Sequence, residues 1–178
     1  MTLRIQYWVA GLLGISGIAL FTLVPGGPIE TRSFAHINPI TLGAFNTFLT
    51  TLVLGSLLLV YFVLRSHRWA MMGAAISGLS FLAVYGLDLV KIFPVSPDAM
   101  PPALFAVEVL GTILSFPLIV LSVSAALPAQ RQSQLVTVPA LTADKGSTAQ
   151  TPQILMVIAL AIVALGIIAF ATKSAMGL

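Results

Sequence analysis

The chain has 178 residues, of which 58% are apolar and only 7% are charged, and its mean hydropathy is +1.07. A soluble domain carries about a quarter charged residues because its surface meets water, so the periphery of this chain is expected to face lipid or apolar protein. The absence of cysteine excludes disulfides, thiolate metal sites, iron–sulfur ligation and thiol nucleophiles. Eight Lys and Arg against five Asp and Glu are a small, scattered surplus, which predicts no nucleic-acid partner.

Five apolar stretches predict an all-α, polytopic transmembrane helical bundle. Each is long enough for a hydrocarbon core of roughly 30 Å, which takes about 20 helical residues. The stretches are continuously apolar rather than alternating, which favours helices over barrel strands. We expect a single transmembrane domain over residues 1–178 with spans at 7–24, 39–64, 69–93, 101–127 and 152–172.

The residues between these stretches support the segmentation in chain order. The first run ends at a Pro-Gly-Gly-Pro turn, and no small-x-small cleavage pattern precedes it, so the first span is expected to be retained. Asn38 and Pro39 are suited to the N-cap and first turn of the second helix. A four-residue connection at 65–68 predicts antiparallel second and third helices. The polar segment 128–151 predicts a flexible cytoplasmic loop.

The distribution of basic residues predicts a cytoplasmic N-terminus and an extracytoplasmic C-terminus. This orientation places five basic residues inside, namely Arg4, Arg65, Arg68, Arg131 and Lys145, and three outside, namely Arg32, Lys91 and Lys173. The bias agrees with the positive-inside rule. Amphipathic rings also gather at the cytoplasmic ends of the first three helices: Tyr7, Trp8, Tyr61 and Trp69. A bacterial inner membrane, or an equivalent one, is the expected location.

Two acidic residues, Asp88 and Glu108, lie inside predicted spans, where an ionisable group is unfavourable by at least about 2.5 kcal/mol near the centre. Counted from the predicted helix ends, both lie about 8–10 Å below the extracytoplasmic face, and Asn46 reaches a similar depth. Three helices thus bring polar groups to one layer. Helical neighbours extend the candidate ligand- or ion-binding set to Asn46, Tyr85, Asp88, Lys91, Glu108 and Thr112.

This layer has two interpretations. In the first, it is an outward-facing polar pocket that binds a cation, a proton or a polar head group. In the second, Lys91 forms a structural ion pair with Asp88 or Glu108, and hydrogen bonds between helices hold the bundle together. Small-residue faces on the first and third helices predict close helix packing, and a minor alternative is docking against another protein.

No catalytic or metal-binding residues are predicted, and the sequence leaves the identity of any cofactor open. The two histidines, His36 and His67, are predicted to lie on opposite sides of the bilayer, which argues against a bis-histidine haem within one subunit. The glycine-rich run 11–17 follows no strand and lies inside a span, so it is not a phosphate-binding loop.

Three functions remain open. The leading one is a non-catalytic accessory subunit, assembly factor or scaffold of a larger membrane complex, with the bilayer and other membrane subunits, or further copies of the chain, as partners. The second is a small transporter, channel or ligand-binding protein that uses Asn46, Asp88 and Glu108. The third is a membrane enzyme acting on a lipid or quinone, with Glu108 or Asp88 as general base and Tyr85 as its partner.

Overall fold

The computed structural model describes residues 2–27, 29–134 and 150–177, with side chains over 5–27, 29–127 and 162–177. Within these ranges the chain is all-helical and contains no strand. The five helices are α1 (Thr2–Phe21), α2 (Pro39–Leu64), α3 (Arg68–Leu89), α4 (Pro102–Gln134) and α5 (Gln150–Ala175).

Three helices are long and apolar enough to cross a membrane: Pro39–Leu64, Arg68–Leu89 and, within α4, Pro102–Leu127. The predicted all-α membrane bundle is confirmed at this level. The apolar stretches of the other two helices, Ile5–Phe21 and Ile162–Ala175, are shorter over the described residues.

The end of α3 differs from its prediction. The helix ends at Leu89, four residues before the predicted boundary at 93. Lys91 takes a left-handed φ of 55°, its N–H donates to the carbonyl of Asp88 at 2.9 Å, and the N–H of Ile92 donates to the carbonyl of Leu87 at 2.9 Å. These are the two hydrogen bonds of a Schellman C-cap. The sequence conceals this ending because the left-handed position holds lysine rather than glycine.

The segment between α4 and α5 also differs in its bounds. Helix α4 continues to Gln134, and α5 begins at Gln150, so the predicted loop 128–151 is helical at both ends. Residues 135–149 lie outside the described residues, and the prediction of a flexible cytoplasmic loop stays a prediction there.

Helices α1 to α4 pack around one apolar core, and α5 packs against α2. The most extensive pair is α3 with α4, followed by α1 with α2. The core is built from large side chains on three or more helices, including Leu13 of α1, Val63 of α2, Phe81 of α3 and Leu118 of α4, all fully buried. A second, small cluster contains Phe34, Leu42 and Ala175. It joins the connection between α1 and α2 to the start of α2 and the end of α5.

The arrangement places five helix termini and two connections at one end of the bundle. There α1 and α3 end, α2 and α4 begin, and α5 ends. We call this the loop end; it contains the connection 22–38 between α1 and α2 and the connection 90–101 between α3 and α4. The candidate site lies at the loop end.

Candidate ligand-binding pocket

The first connection contributes two charged residues that fold into the bundle. Side chains along this segment alternate in exposure: Glu30, Arg32 and Phe34 are buried, whereas the residues between them are exposed. An extended backbone sends successive side chains to opposite sides, so positions i, i+2 and i+4 face the same way. The segment is fastened by a hydrogen bond from the Ser33 N–H to Asp98 Oδ2 at 2.7 Å and one from the Phe34 N–H to the Ala175 carbonyl at 2.8 Å.

Arg32 bridges two carboxylates. Its Nε donates to Glu30 Oε1 at 3.0 Å and its Nη2 to Glu30 Oε2 at 2.6 Å. Its Nη1 and Nη2 donate to Asp88 Oδ1 and Oδ2 at 2.9 and 2.7 Å. Both contacts are bidentate, the geometry in which a guanidinium binds a carboxylate most strongly. Arg32 therefore connects the first loop to the last turn of α3.

The electrostatic environment of Arg32 favours its charged form. Burial lowers the pKa of the guanidinium, but the hydrogen bonds that it donates to Glu30 and Asp88, together with their negative charges, more than offset this effect and hold the pKa above its ordinary value. The ring of Phe34 adds a cation–π contact, with its centroid 5.3 Å from the Arg32 Cζ. Arg32 is thus a permanent cation of this site.

Glu108 of α4 is differently placed. Its side chain is only 1% exposed, and its Oε1 lies 3.9 Å from Arg32 Nη2, too far for a hydrogen bond. Its Oε2 is buried and has no hydrogen-bond partner among the described side chains. A buried polar atom without a partner is unfavourable by about 1–3 kcal/mol, and more when the group is charged. Glu108 therefore presents an unpartnered acceptor to the interior of the loop end.

A cavity lies beside this acceptor. Its volume is about 40 Å³, enough for roughly three water-sized groups, since one such group needs about 10–15 Å³. Its polar lining contains Glu30, Arg32, Asn46, Tyr85, Asp88 and Glu108. The remaining lining is apolar and comes mainly from α1, α2 and the first connection: Leu20, Leu23, Pro25, Phe34, Leu42, Phe45, Leu49, Val84 and Pro94.

Four of the six sequence-predicted site residues line this cavity: Asn46, Tyr85, Asp88 and Glu108. Asn46 donates from its Nδ2 to Thr172 Oγ1 of α5 at 3.0 Å. Tyr85 donates from its hydroxyl to the Ser16 carbonyl of α1 at 3.3 Å. These bonds fix both side chains at the cavity wall and link the pocket to α1 and α5.

Thr112 does not line the cavity. Its hydroxyl donates to the main-chain carbonyl of Glu108 at 2.8 Å, one turn back on the same helix. This local bond is the common alternative for a threonine inside a helix. Thr112 therefore contacts the backbone of the site residue rather than its carboxylate.

The predicted role of Lys91 as an ion-pair partner is wrong. Lys91 is exposed, and in the described part of the chain it forms no ion pair, whereas Arg32 pairs with Asp88. The physical reason is the early end of α3: the left-handed backbone at Lys91 breaks the i+3 relation to Asp88 on which the prediction rested. The same early end places Asp88 one residue from the helix terminus, shallower than predicted.

Glu30 and Arg32 were missed by sequence reasoning because they lie in a connection. Two features of the sequence could have indicated them. Glu30-Thr31-Arg32-Ser33-Phe34 alternates between large and small side chains, a period-two pattern typical of an extended segment with one buried face. Two acids within helices also require a cation, and Arg32 is one of only three basic residues predicted on their side of the membrane.

The acidic groups do not form a metal site. Among the described residues, no three His, Cys, Asp or Glu side chains converge in a geometry that could hold a metal ion. Arg32 occupies the space between Glu30 and Asp88, and the apolar walls offer no further oxygen ligands of the kind that Ca²⁺ or Mg²⁺ requires.

Comparison with known proteins identifies the family. A family model described as "Domain of unknown function (DUF8051)" matches residues 5–136. The chain belongs to this family. The matched region contains α1 to the end of α4 and all four charged residues of the pocket, whereas α5 lies beyond it. No curated protein and no solved structure matches the chain.

Proposed function

We propose that the protein is a membrane-embedded binding protein for an organic ammonium ion, which it takes into the pocket at the loop end. The observation that carries this proposal is the buried Glu108 Oε2, which has no hydrogen-bond partner in the described part of the chain and belongs to a residue that lines the cavity. An ammonium group has several N–H donors and a positive charge, and so supplies what this atom lacks.

The charges of the pocket favour a cationic ligand. Three carboxyl groups, of Glu30, Asp88 and Glu108, face a single guanidinium. Arg32 donates its hydrogen bonds to Glu30 and Asp88. Its interaction with Glu108 is therefore only a longer electrostatic contact of 3.9 Å. The site therefore has surplus negative charge, and an anionic ligand would meet acids rather than a free guanidinium.

The walls of the pocket favour an organic cation over a hydrated metal ion. Phe34, Phe45 and Tyr85 line the cavity, and aromatic rings attract ammonium groups through their negative faces. The aliphatic lining suits the carbon atoms attached to the ammonium. A strongly hydrated ion would lose most of its water and receive few replacement ligands, because most of the lining is apolar.

The proposal is tested by thermal unfolding of the purified protein in mild detergent with n-butylamine, using n-butanol as the uncharged control. The amine should raise the midpoint, and above its Kd the gain should grow with the logarithm of the amine concentration, since a ligand at 100 times its Kd stabilises the fold by about 2.7 kcal/mol. Glu108→Gln should weaken binding at least about tenfold, which corresponds to 1.4 kcal/mol. Lys91→Gln, which removes an exposed charge at the same end and outside the cluster, should bind like the wild type. Equal stabilisation by the amine and the alcohol would contradict the proposal.

We further propose that all five helices cross the membrane, with the loop end outside the cytoplasm and the membrane a bacterial inner membrane or its equivalent. At about 1.5 Å per residue, α1 and α5 reach roughly 30 and 39 Å. The exposed rings of Tyr7, Trp8, Tyr61 and Trp69 lie at the opposite end from the pocket, as an interfacial aromatic belt would.

This orientation can be tested cleanly because the chain has no cysteine. Ala99→Cys lies in the second connection of the loop end, and Ser66→Cys lies at the opposite end. In intact cells, a membrane-impermeant maleimide should label Ala99→Cys at once and Ser66→Cys only after permeabilisation. The reverse pattern would mean that the loop end is cytoplasmic. Labelling of both sites in intact cells would mean that they lie on the same side of the membrane, which contradicts a membrane-spanning α3.

The role of accessory subunit, assembly factor or scaffold, with other membrane subunits or further copies as partners, stays a prediction. The small-residue faces that pointed to a docking role are used within the chain. A Cβ on Gly17 would meet Ser56 of α2 at 3.7 Å, and a Cβ on Gly78 would meet Ile119 of α4 at 2.9 Å. They therefore give no specific support for an external partner.

A further inference from the structure

A second cavity adjoins the ammonium pocket. It is a narrow groove lined by α1, α2, α5 and the start of the first connection, and its lining is almost wholly apolar. Its own residues include Thr50, Val53 and Leu54 of α2 and Ile167 and Ala171 of α5. Helix α5 packs against α2, and in the described part of the chain it makes no helix–helix packing with α1, so the groove runs between α1 and α5 over the surface of α2.

The groove and the pocket share part of their lining. Five residues line both: Leu20, Leu23, Pro25, Asn46 and Leu49. Asn46 is the only polar residue among the five, and its side chain is held against Thr172 of α5. A molecule with its charged end at Glu108 could therefore extend past Asn46 into the groove without crossing a barrier of charged groups.

The groove also reaches the outer surface of the bundle. Phe21 lines it and keeps 51% of its surface exposed. The neighbouring outer surfaces of α1 and α5 carry other exposed large apolar side chains, including Ile18 and Phe170. In a membrane, this surface faces hydrocarbon.

We infer that the ligand is a membrane amphiphile, with a primary-amine head at Glu108 and a hydrocarbon chain in the groove between α1 and α5. This inference rests on the proposed function and adds the chemical class of the ligand. Three observations carry it: a buried acceptor without a partner, an apolar groove that shares part of its lining with the pocket, and the exit of that groove on a hydrocarbon-facing surface. A soluble amine would need only the first.

The test compares the Kd of n-butylamine and n-decylamine for the protein in detergent. Leu54→Trp fills the groove from α2, and Phe48→Trp, the control, introduces the same indole ring at an exposed position of the same helix. Ile167→Trp fills the groove from α5 and serves if Leu54→Trp does not fold. Partition of the longer amine into micelles is common to all variants and cancels when they are compared.

The longer chain should lower the Kd at least tenfold more in the wild type and Phe48→Trp than in the groove variants, while butylamine binds all of them equally. If the groove variants gain as much from the longer chain as the wild type does, and butylamine still depends on Glu108, the ligand is a short amine and the inference fails alone. If neither amine depends on Glu108, the proposed function fails and the inference fails with it.

Discussion

Replacing Arg32 by methionine should strongly destabilise the protein. Methionine keeps much of the volume but leaves the Glu30 and Asp88 carboxylates without the bidentate contacts of 2.6–3.0 Å that now hold them. Removing one partner from a buried ion pair lowers the free energy of unfolding by about 3–5 kcal/mol, because the remaining charge stays buried and uncompensated. Arg32→Lys keeps the positive charge but not the bidentate contacts, and should lower the free energy of unfolding by less.

The assay is reversible unfolding in mixed micelles of increasing SDS fraction, followed by far-ultraviolet circular dichroism. Lys91→Met is the matched control, since it removes a cation that is exposed and outside the cluster; it should change the free energy of unfolding by no more than about 0.5 kcal/mol. Adding Asp88→Asn to Arg32→Met should recover part of the loss, with a coupling energy of about 0.5–3 kcal/mol. A loss for Arg32→Met no larger than that for Lys91→Met would refute the account of the cluster.

Three further predictions concern packing and hydrogen bonding, and each can be checked by thermal unfolding in the same detergent. A Cβ on Gly111 would lie 2.4 Å from the Tyr85 ring, so Gly111→Ala should lower stability by about 1–3 kcal/mol, whereas Gly86→Ala, with open space at its Cβ, should be neutral or slightly stabilising. Asn38 accepts the Ile40 N–H at 2.8 Å as the N-cap of α2, so Asn38→Ala should lose about 1 kcal/mol. The Ser56 hydroxyl is buried and has no hydrogen-bond partner among the described residues, so Ser56→Ala should not destabilise the fold; a clear loss there would reveal a bond formed in the membrane.

The fold was predictable to the extent that it follows from apolar length and local capping. The bounds of α2 agree with the prediction, because Asn38 and Pro39 mark its start and the run of apolar residues is unbroken to Leu64. The end of α3 was not predictable from composition: Lys91 adopts a left-handed conformation that glycine adopts most readily, and only the surrounding structure fixes it there.

The sequence predicts the acidic residues of the candidate site but not the cation that binds them. Intramembrane acids are conspicuous in an apolar helix, which predicts Asp88 and Glu108; helical spacing adds Tyr85, and equal depth adds Asn46, and both line the pocket. The cation was assigned to Lys91 by proximity in sequence, whereas the structure recruits Arg32 from a connection 56 residues away along the chain. Periodicity describes helices well, but the path of a loop is decided by long-range contacts such as Ser33 with Asp98.

Native mass spectrometry of the gently solubilised protein tests the central claim most directly, because it reports retained ligands and bound subunits together. The account predicts that the wild type retains an adduct with the mass of a primary-amine amphiphile, and that Glu108→Gln loses this adduct while Lys91→Gln keeps it. An adduct held equally by wild type and Glu108→Gln, or a wild type that carries only partner subunits and no small molecule, would contradict it.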